Sequence, residues 1–328
     1  MMACCHREGG SGYAENPDRS FCAGTLRVAA EMSHSISHFR QRWELAVTDV
    51  RNESGLRGFL DRGGFWRLLL VVLVYLAIYL GAGRVATMIA PDAVNADLLS
   101  SVSSVFFHIT FGLIVGAVVL VIFLSVTGWW RDLFARQPIG GSRWMWIAVI
   151  IIVVPIVLRL FGIDYSRYPS GVVALVFATG LLIGFVEEVL TRGIAVKMLR
   201  DAGHSEWVVA AVSSLLFAVM HSINLFSGAA PLVVAVTVFY AFGFGVCMYL
   251  SMRVSGFLLV AIVLHGLTDP TTILATGGLD ETASDAAQNA LLTAASPFNF
   301  VVMFSGLILL IFIRGRVPGR QHALAPAR

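Results

Sequence analysis

Charged residues are scarce in this sequence: 13% of 328 residues, against about a quarter in a soluble domain. With 57% hydrophobic residues and a mean hydropathy of +0.81, that scarcity excludes a soluble enzyme and leaves a polytopic membrane protein. Cysteine is scarce as well. Of the four, Cys4, Cys5 and Cys22 fall in the N-terminal tail and Cys247 lies inside an apolar run. None has CxxC spacing, and no disulfide framework can be built from them. There is no HExxH helix of the kind that holds zinc in many metalloproteases. No internal repeat stands out, which counts against a transporter built from inverted repeats. A net charge of +3 is too small to point to nucleic acid. Residues 1–31 lack an apolar h-region, so no cleavable signal peptide is evident. The segment 1–35 reads as a disordered tail, and Met32 is a candidate alternative start.

Long apolar runs, by contrast, are abundant. Crossing a bilayer takes about 20 predominantly apolar residues. Eight segments qualify: 66–90, 101–127, 143–162, 170–200, 205–224, 230–251, 255–276 and 297–314. The expected fold is therefore an all-α bundle of about eight transmembrane helices. Residues 36–66 mix apolar and charged side chains at helical spacing, as in a helix lying on the membrane surface or a plain solvated one. The remaining layout is two transmembrane helices in 67–142, a core in 143–315 and a basic tail in 316–328. Eight spans put both termini on one side. That side then receives 20 of the 23 basic residues, leaving Arg84, Arg159 and Arg167 opposite with the acidic loop LDETASDAAQN. The positive-inside rule makes the basic side cytoplasmic, in the cell membrane.

The stretch GFVEEVLTRG, residues 184–193, interrupts this pattern. A charge at the centre of a membrane helix costs about 2.5–3.5 kcal/mol on insertion scales. Glu187, Glu188 and Arg192 must therefore face protein or a water-filled cavity, unless they lie in a surface loop. No helix breaker occurs until Gly203, which suits a C-cap, and Ser205 then suits the next N-cap. Glu187 precedes that turn by 16 residues and His221 follows it by 18, about 24–27 Å in either direction. His265 and Asp269 lie about 17 and 23 Å from the turn near Arg253 on the same side. Three helices can thus deliver five polar groups to one layer.

Each group also has a plainer reading. Glu188 and Arg192, four apart in acid-before-base order, suit a structural ion pair. His221, one turn after Phe217, could be a satisfied core histidine. His265 and Asp269 are four apart and share a face, and an Asp can fix a His tautomer; equally, they could be a helix-terminal His and an Asp before Pro270. His108 has no acidic partner nearby and reads as structural. Gly243 and Gly245 read as close helix packing.

EEVLTR, FAVMH and HGLTD fit EExxxR, FxxxH and HxxxN/D, in that order. On these motifs the chain resembles the CPBP family of intramembrane proteases, which includes type II CaaX prenyl endopeptidases and bacterial Abi-type proteins. The resemblance covers about residues 143–276. It implies an eight-helix fold with the site inside the bilayer, reached from the cytoplasm, and peptide-bond hydrolysis of a membrane-embedded or membrane-anchored protein or peptide. Carried over by position, Glu187 is the general base and His221 its partner on the water. His265 and Asp269 assist at the oxyanion or the substrate carbonyl, and Glu188, Arg192 and Phe217 support the site. Family prenyl endopeptidases commonly have Asn where this chain has Asp269, and an Asp donates a hydrogen bond only when protonated. The preferred mechanism needs no cofactor; the alternative places Zn²⁺ on Glu187, His221 and His265. A proton-coupled transporter and a non-catalytic immunity or scaffold protein are the competing functions.

Overall fold

The computed structural model describes residues 55–278 and 289–318. The expected tail 1–35, most of the surface helix at 36–66, the acidic loop and residues 319–328 lie outside the described residues. Regular structure among the described residues is helical. Eight helices are long and apolar enough to cross a membrane: α1 (Phe65–Ile89), α2 (Val102–Thr127), α3 (Arg143–Gly162), α4 (Ser170–Asp201), α5 (Glu206–Phe226), α6 (Pro231–Ser255), α7 (Leu258–Thr276) and α8 (Ala290–Leu310). This is the all-α, polytopic bundle that the apolar runs predict. The eighth span departs most from expectation. It starts at Ala290, breaks at Ser296 and Pro297, and ends its second piece at Leu310.

The turns follow from local chemistry. Gly203 takes φ +78°, a left-handed conformation that costs a residue with Cβ. Its N–H returns to Arg200 O at 2.8 Å and that of His204 to Leu199 O at 3.2 Å, the backbone pattern that ends many helices. Ser205 caps α5 by accepting from Val208 N. Gly256, at φ +84°, makes the corresponding stop after α6. Both ends of the described chain reach the α4–α5 turn: Gly64 N donates to Met198 O and Glu206 N to Gly315 O, each at 3.0 Å.

Helices α4 and α7 approach through glycine. A Cβ on Gly184 would meet Gly266 N at 2.7 Å and Gly266 Cα at 3.0 Å, and one on Gly180 would meet Gly266 O at 2.7 Å. Small residues allow this backbone proximity, which is how membrane helices gain van der Waals contact without a hydrophobic driving force. Apolar side chains such as Val118, Ile122 and Val126 of α2 and Leu232 and Val236 of α6 remain exposed on the outside, as lipid contact requires.

Candidate active site inside the helix bundle

The α4–α7 contact seats His265 against the Glu pair. Glu188 Oε1 lies 2.7 Å from His265 Nδ1 and 3.1 Å from Arg192 Nη1. Sequence spacing predicts the Glu188–Arg192 pair. The short bond from Glu188 to His265 is a further finding, because i,i+4 spacing pointed to Asp269 as the histidine's partner. Asp269 is instead at the other ring nitrogen, with Oδ2 at 3.6 Å from Nε2. Glu187 Oε2 is also 3.6 Å from Nε2. One imidazole therefore faces three carboxylates.

The two adjacent glutamates differ in access. The Glu188 side chain is 0% exposed, whereas Glu187 retains 24% and Asp269 32% exposure. Glu188 is sealed in the bundle; Glu187 and Asp269 open onto space that solvent or a substrate can reach. Behind them the helix changes pitch. Val189–Ala195 is π-helical, a widened form that recurs at functional sites. Thr191 Oγ1 donates to Glu187 O at 2.6 Å and also accepts from Arg192 Nη1, so the backbone beneath both glutamates is pinned.

His221 enters from α5, where the α-helical part gives way to a 3₁₀ segment, His221–Ser227. Its Nδ1 lies 3.0 Å from Phe217 O. The Phe217 ring is the common wall. It sits edge-on to His221 at 4.8 Å and to His265 at 5.7 Å, and the Arg192 guanidinium lies over it at 4.4 Å from the centroid. That contact adds cation–π attraction in a dry setting. Phe244 of α6 closes the other side of His265 at 4.8 Å. Gly245 leaves room for Arg192, because a Cβ there would come within 2.7 Å of Nη2. Glu187 lies in electrostatic range of His221, His265, Asp269 and Glu188. The residues expected from three helices therefore share one locality, and His108, read as structural, lies on an exposed face of α2.

Sequence reasoning missed several neighbours. Tyr75 and Tyr79 of α1 lie in electrostatic range of Glu187, although the first spans carried no motif. Arg159 was counted with the loops opposite the cytoplasm, but it is buried within α3. There it donates to Thr272 Oγ1 at 3.0 Å and Asn299 Oδ1 at 2.9 Å. The signal that could have found it was the one applied to Arg192: a charge inside an apolar run.

Among the described residues, no group of three or more His, Cys, Asp or Glu is arranged to hold a metal ion. The Nδ1 atoms of both histidines already face protein acceptors, Glu188 and the Phe217 carbonyl.

Comparison with known families agrees with the motif resemblance. Residues 169–271 match the family model described as type II CAAX prenyl endopeptidase Rce1-like. The match spans all three motifs and supports an intramembrane endopeptidase of the CAAX type in general, a protease in a multi-pass membrane protein. A search of curated proteins finds no match to the chain.

Proposed function

We propose that the protein hydrolyses peptide bonds of a membrane-embedded or membrane-anchored protein or peptide, with prenylated CaaX-type C-termini as candidate substrates. One observation carries this reading: His265, fixed at Nδ1 by Glu188, directs Nε2 between two accessible carboxylates, Glu187 and Asp269. Glu187, assisted by His221, takes a proton from water. The resulting hydroxide attacks the scissile carbonyl carbon, and its oxygen gathers negative charge. His265, carrying a proton on each ring nitrogen, donates Nε2–H to that oxygen, an electrostatic role typically worth 10²–10³ in rate. The C–N bond then breaks, and Glu187 returns its proton to the departing amine. Asp269, with Oδ2 3.6 Å from Nε2, faces the same ring nitrogen. Arg192 and Glu188 orient the imidazole.

This route involves no metal. Cleavage by metal-depleted protein in strong chelator is expected to equal that of untreated protein; loss restored by zinc alone would replace this route with a zinc-dependent one. From the arginine distribution, we read the α4–α5 turn as cytoplasmic and the membrane as the cell membrane. The main test is membrane proteomics of a deletion strain of the source organism complemented with wild type or Glu187→Ala. Uncleaved membrane proteins should accumulate with Glu187→Ala and with His221→Ala. Identical proteomes would sink the protease reading.

A further inference from the structure

The charges around the candidate site do not balance within it. Glu188 is committed to Arg192 and to His265 Nδ1. Glu187 and Asp269 are left to share a single ring nitrogen, each at 3.6 Å. Three ionised carboxylates against the Arg192 guanidinium and one imidazolium leave one negative charge over. A cation from α3, Arg159, reaches α7 one helical turn past Asp269, at Thr272. Arg159 is 5% exposed, and no carboxylate lies within ion-pair distance of it among the described residues. Among the described residues its guanidinium donates to two neutral acceptors, Thr272 on α7 and Asn299 on α8. Thr272 follows Asp269 by three residues, so the two share a face of α7. A guanidinium in a membrane helix is expensive to leave without an anion.

Resting on the protease reading for its site, we infer that Arg159 is a positioning residue that supplies the countercharge for Asp269 across the α3–α7 interface. Arg159 lies in electrostatic range of Asp269, with Tyr240 in range of both. The fork held by Thr272 and Asn299 keeps the cation from moving into contact with Asp269. Asp269 therefore stays free to turn toward His265 Nε2 while its charge is compensated from behind. The consequence for the reaction is a division of labour. Arg159 offsets the excess negative charge, and His265 is left to serve Glu187 and the substrate oxygen.

A purely mechanical clamp between α3, α7 and α8 would predict something different, and a double-mutant cycle separates the two. Arg159→Met, Arg159→Lys, Asp269→Asn and the combination Arg159→Met with Asp269→Asn are compared with wild type. The half-life of the accumulating membrane protein is read in cells, and melting is read for the purified variants in detergent. Arg159→Met should lengthen the half-life at least tenfold and lower the melting temperature. Arg159→Lys, which keeps charge but loses the fork, should recover most of both. Adding Asp269→Asn to Arg159→Met should restore melting to that of Asp269→Asn alone, since no charge is then left to balance. Equal losses for Met and Lys, with independent effects of the two positions, would overturn the countercharge. If the wild type and Glu187→Ala have the same half-lives, the protease reading fails separately, and the melting cycle still decides the pairing.

Discussion

Two clusters of buried charge among the described residues are built differently. Near the α4–α5 turn, Arg200 holds Glu206 in a two-pronged grip, with Nε at 2.8 Å from Oε1 and Nη2 at 2.7 Å from Oε2. Its remaining Nη1 donates to Gln137 at 2.6 Å, the Tyr249 hydroxyl donates to Glu206, and Arg253 lies 3.7 Å away. Every oxygen of Glu206 is used, and of this cluster's side-chain atoms Arg253 Nε alone is buried without a hydrogen-bond partner among the described residues. Deeper in, Glu188 Oε2 and Arg192 Nε and Nη2 have no hydrogen-bond partner among the described residues, and Glu187 and Asp269 are partly open. A satisfied ionic cluster stiffens the end of a bundle. An unsatisfied one is costly to keep, and what offsets the cost is a group poised to act on something that arrives. The same residue types thus separate into structure and chemistry by how completely their hydrogen-bonding capacity is consumed.

The largest effects should fall on opposite observables. Glu187→Gln keeps the shape and removes the base; cleavage should fall about 10²–10⁴-fold, with melting in detergent unchanged or raised. Glu206→Ala should do the reverse. It strands Arg200 without its anion and should cost about 3–5 kcal/mol, visible as a lower melting temperature, while surviving folded protein cleaves normally. If Glu206→Ala lost activity without losing stability, the two clusters would not divide in this way.

An intermediate effect is expected at the helix contact that assembles the site. Gly184→Val places a branched side chain against Gly266 and Ile262 O. Overpacking of this kind costs about 1–3 kcal/mol and should part Glu188 from His265. Cleavage should fall more than tenfold, beyond what the unfolded fraction explains. Normal cleavage in a stable Gly184→Val protein would mean that the glycine approach does not set the site. Arg192→Lys should be milder. It keeps the charge but weakens the stacking on Phe217 and the bridge to Thr191, so we expect a loss of about tenfold in turnover with a small change in melting.

Much of this comparison could be read from the chain. Gly203, Ser205 and the run lengths fix the hairpin of α4 and α5, and hairpin arithmetic brings Glu187 to the depth of His221. The Glu188–Arg192 pair follows from spacing, even though the intervening residues adopt a π-helical turn that spacing does not foretell. What the chain withholds depends on tertiary approach. Glu188 reaches His265 because Gly180, Gly184 and Gly266 let two backbones close in, and single glycines in apolar runs are too common to single out. Phe244 and Tyr75 look like any other core aromatics until their neighbours are known. Arg159 was missed for another reason: near the end of a run, a charge is easily assigned to the loop.

The smallest expected effect lies outside both clusters, in the short connection between α3 and α4. Asp164 accepts from Ser166 Oγ at 2.6 Å and from Ser166 N at 3.1 Å. These bonds, the side-chain one foremost and then the backbone one, with Arg167 adding a smaller pull, hold its carboxyl below the usual carboxylate range. A group whose folded value is depressed stabilises the fold when ionised. Its contribution is complete above the ordinary carboxylate value and disappears as pH falls through the depressed one. Asp164→Asn preserves the capping geometry and removes the charge. Its melting temperature should sit slightly below wild type near neutral pH and converge with it in acid, with cleavage untouched. A difference that persists at low pH would assign the turn's stability to shape, leaving the buried clusters as the chain's main use of charge.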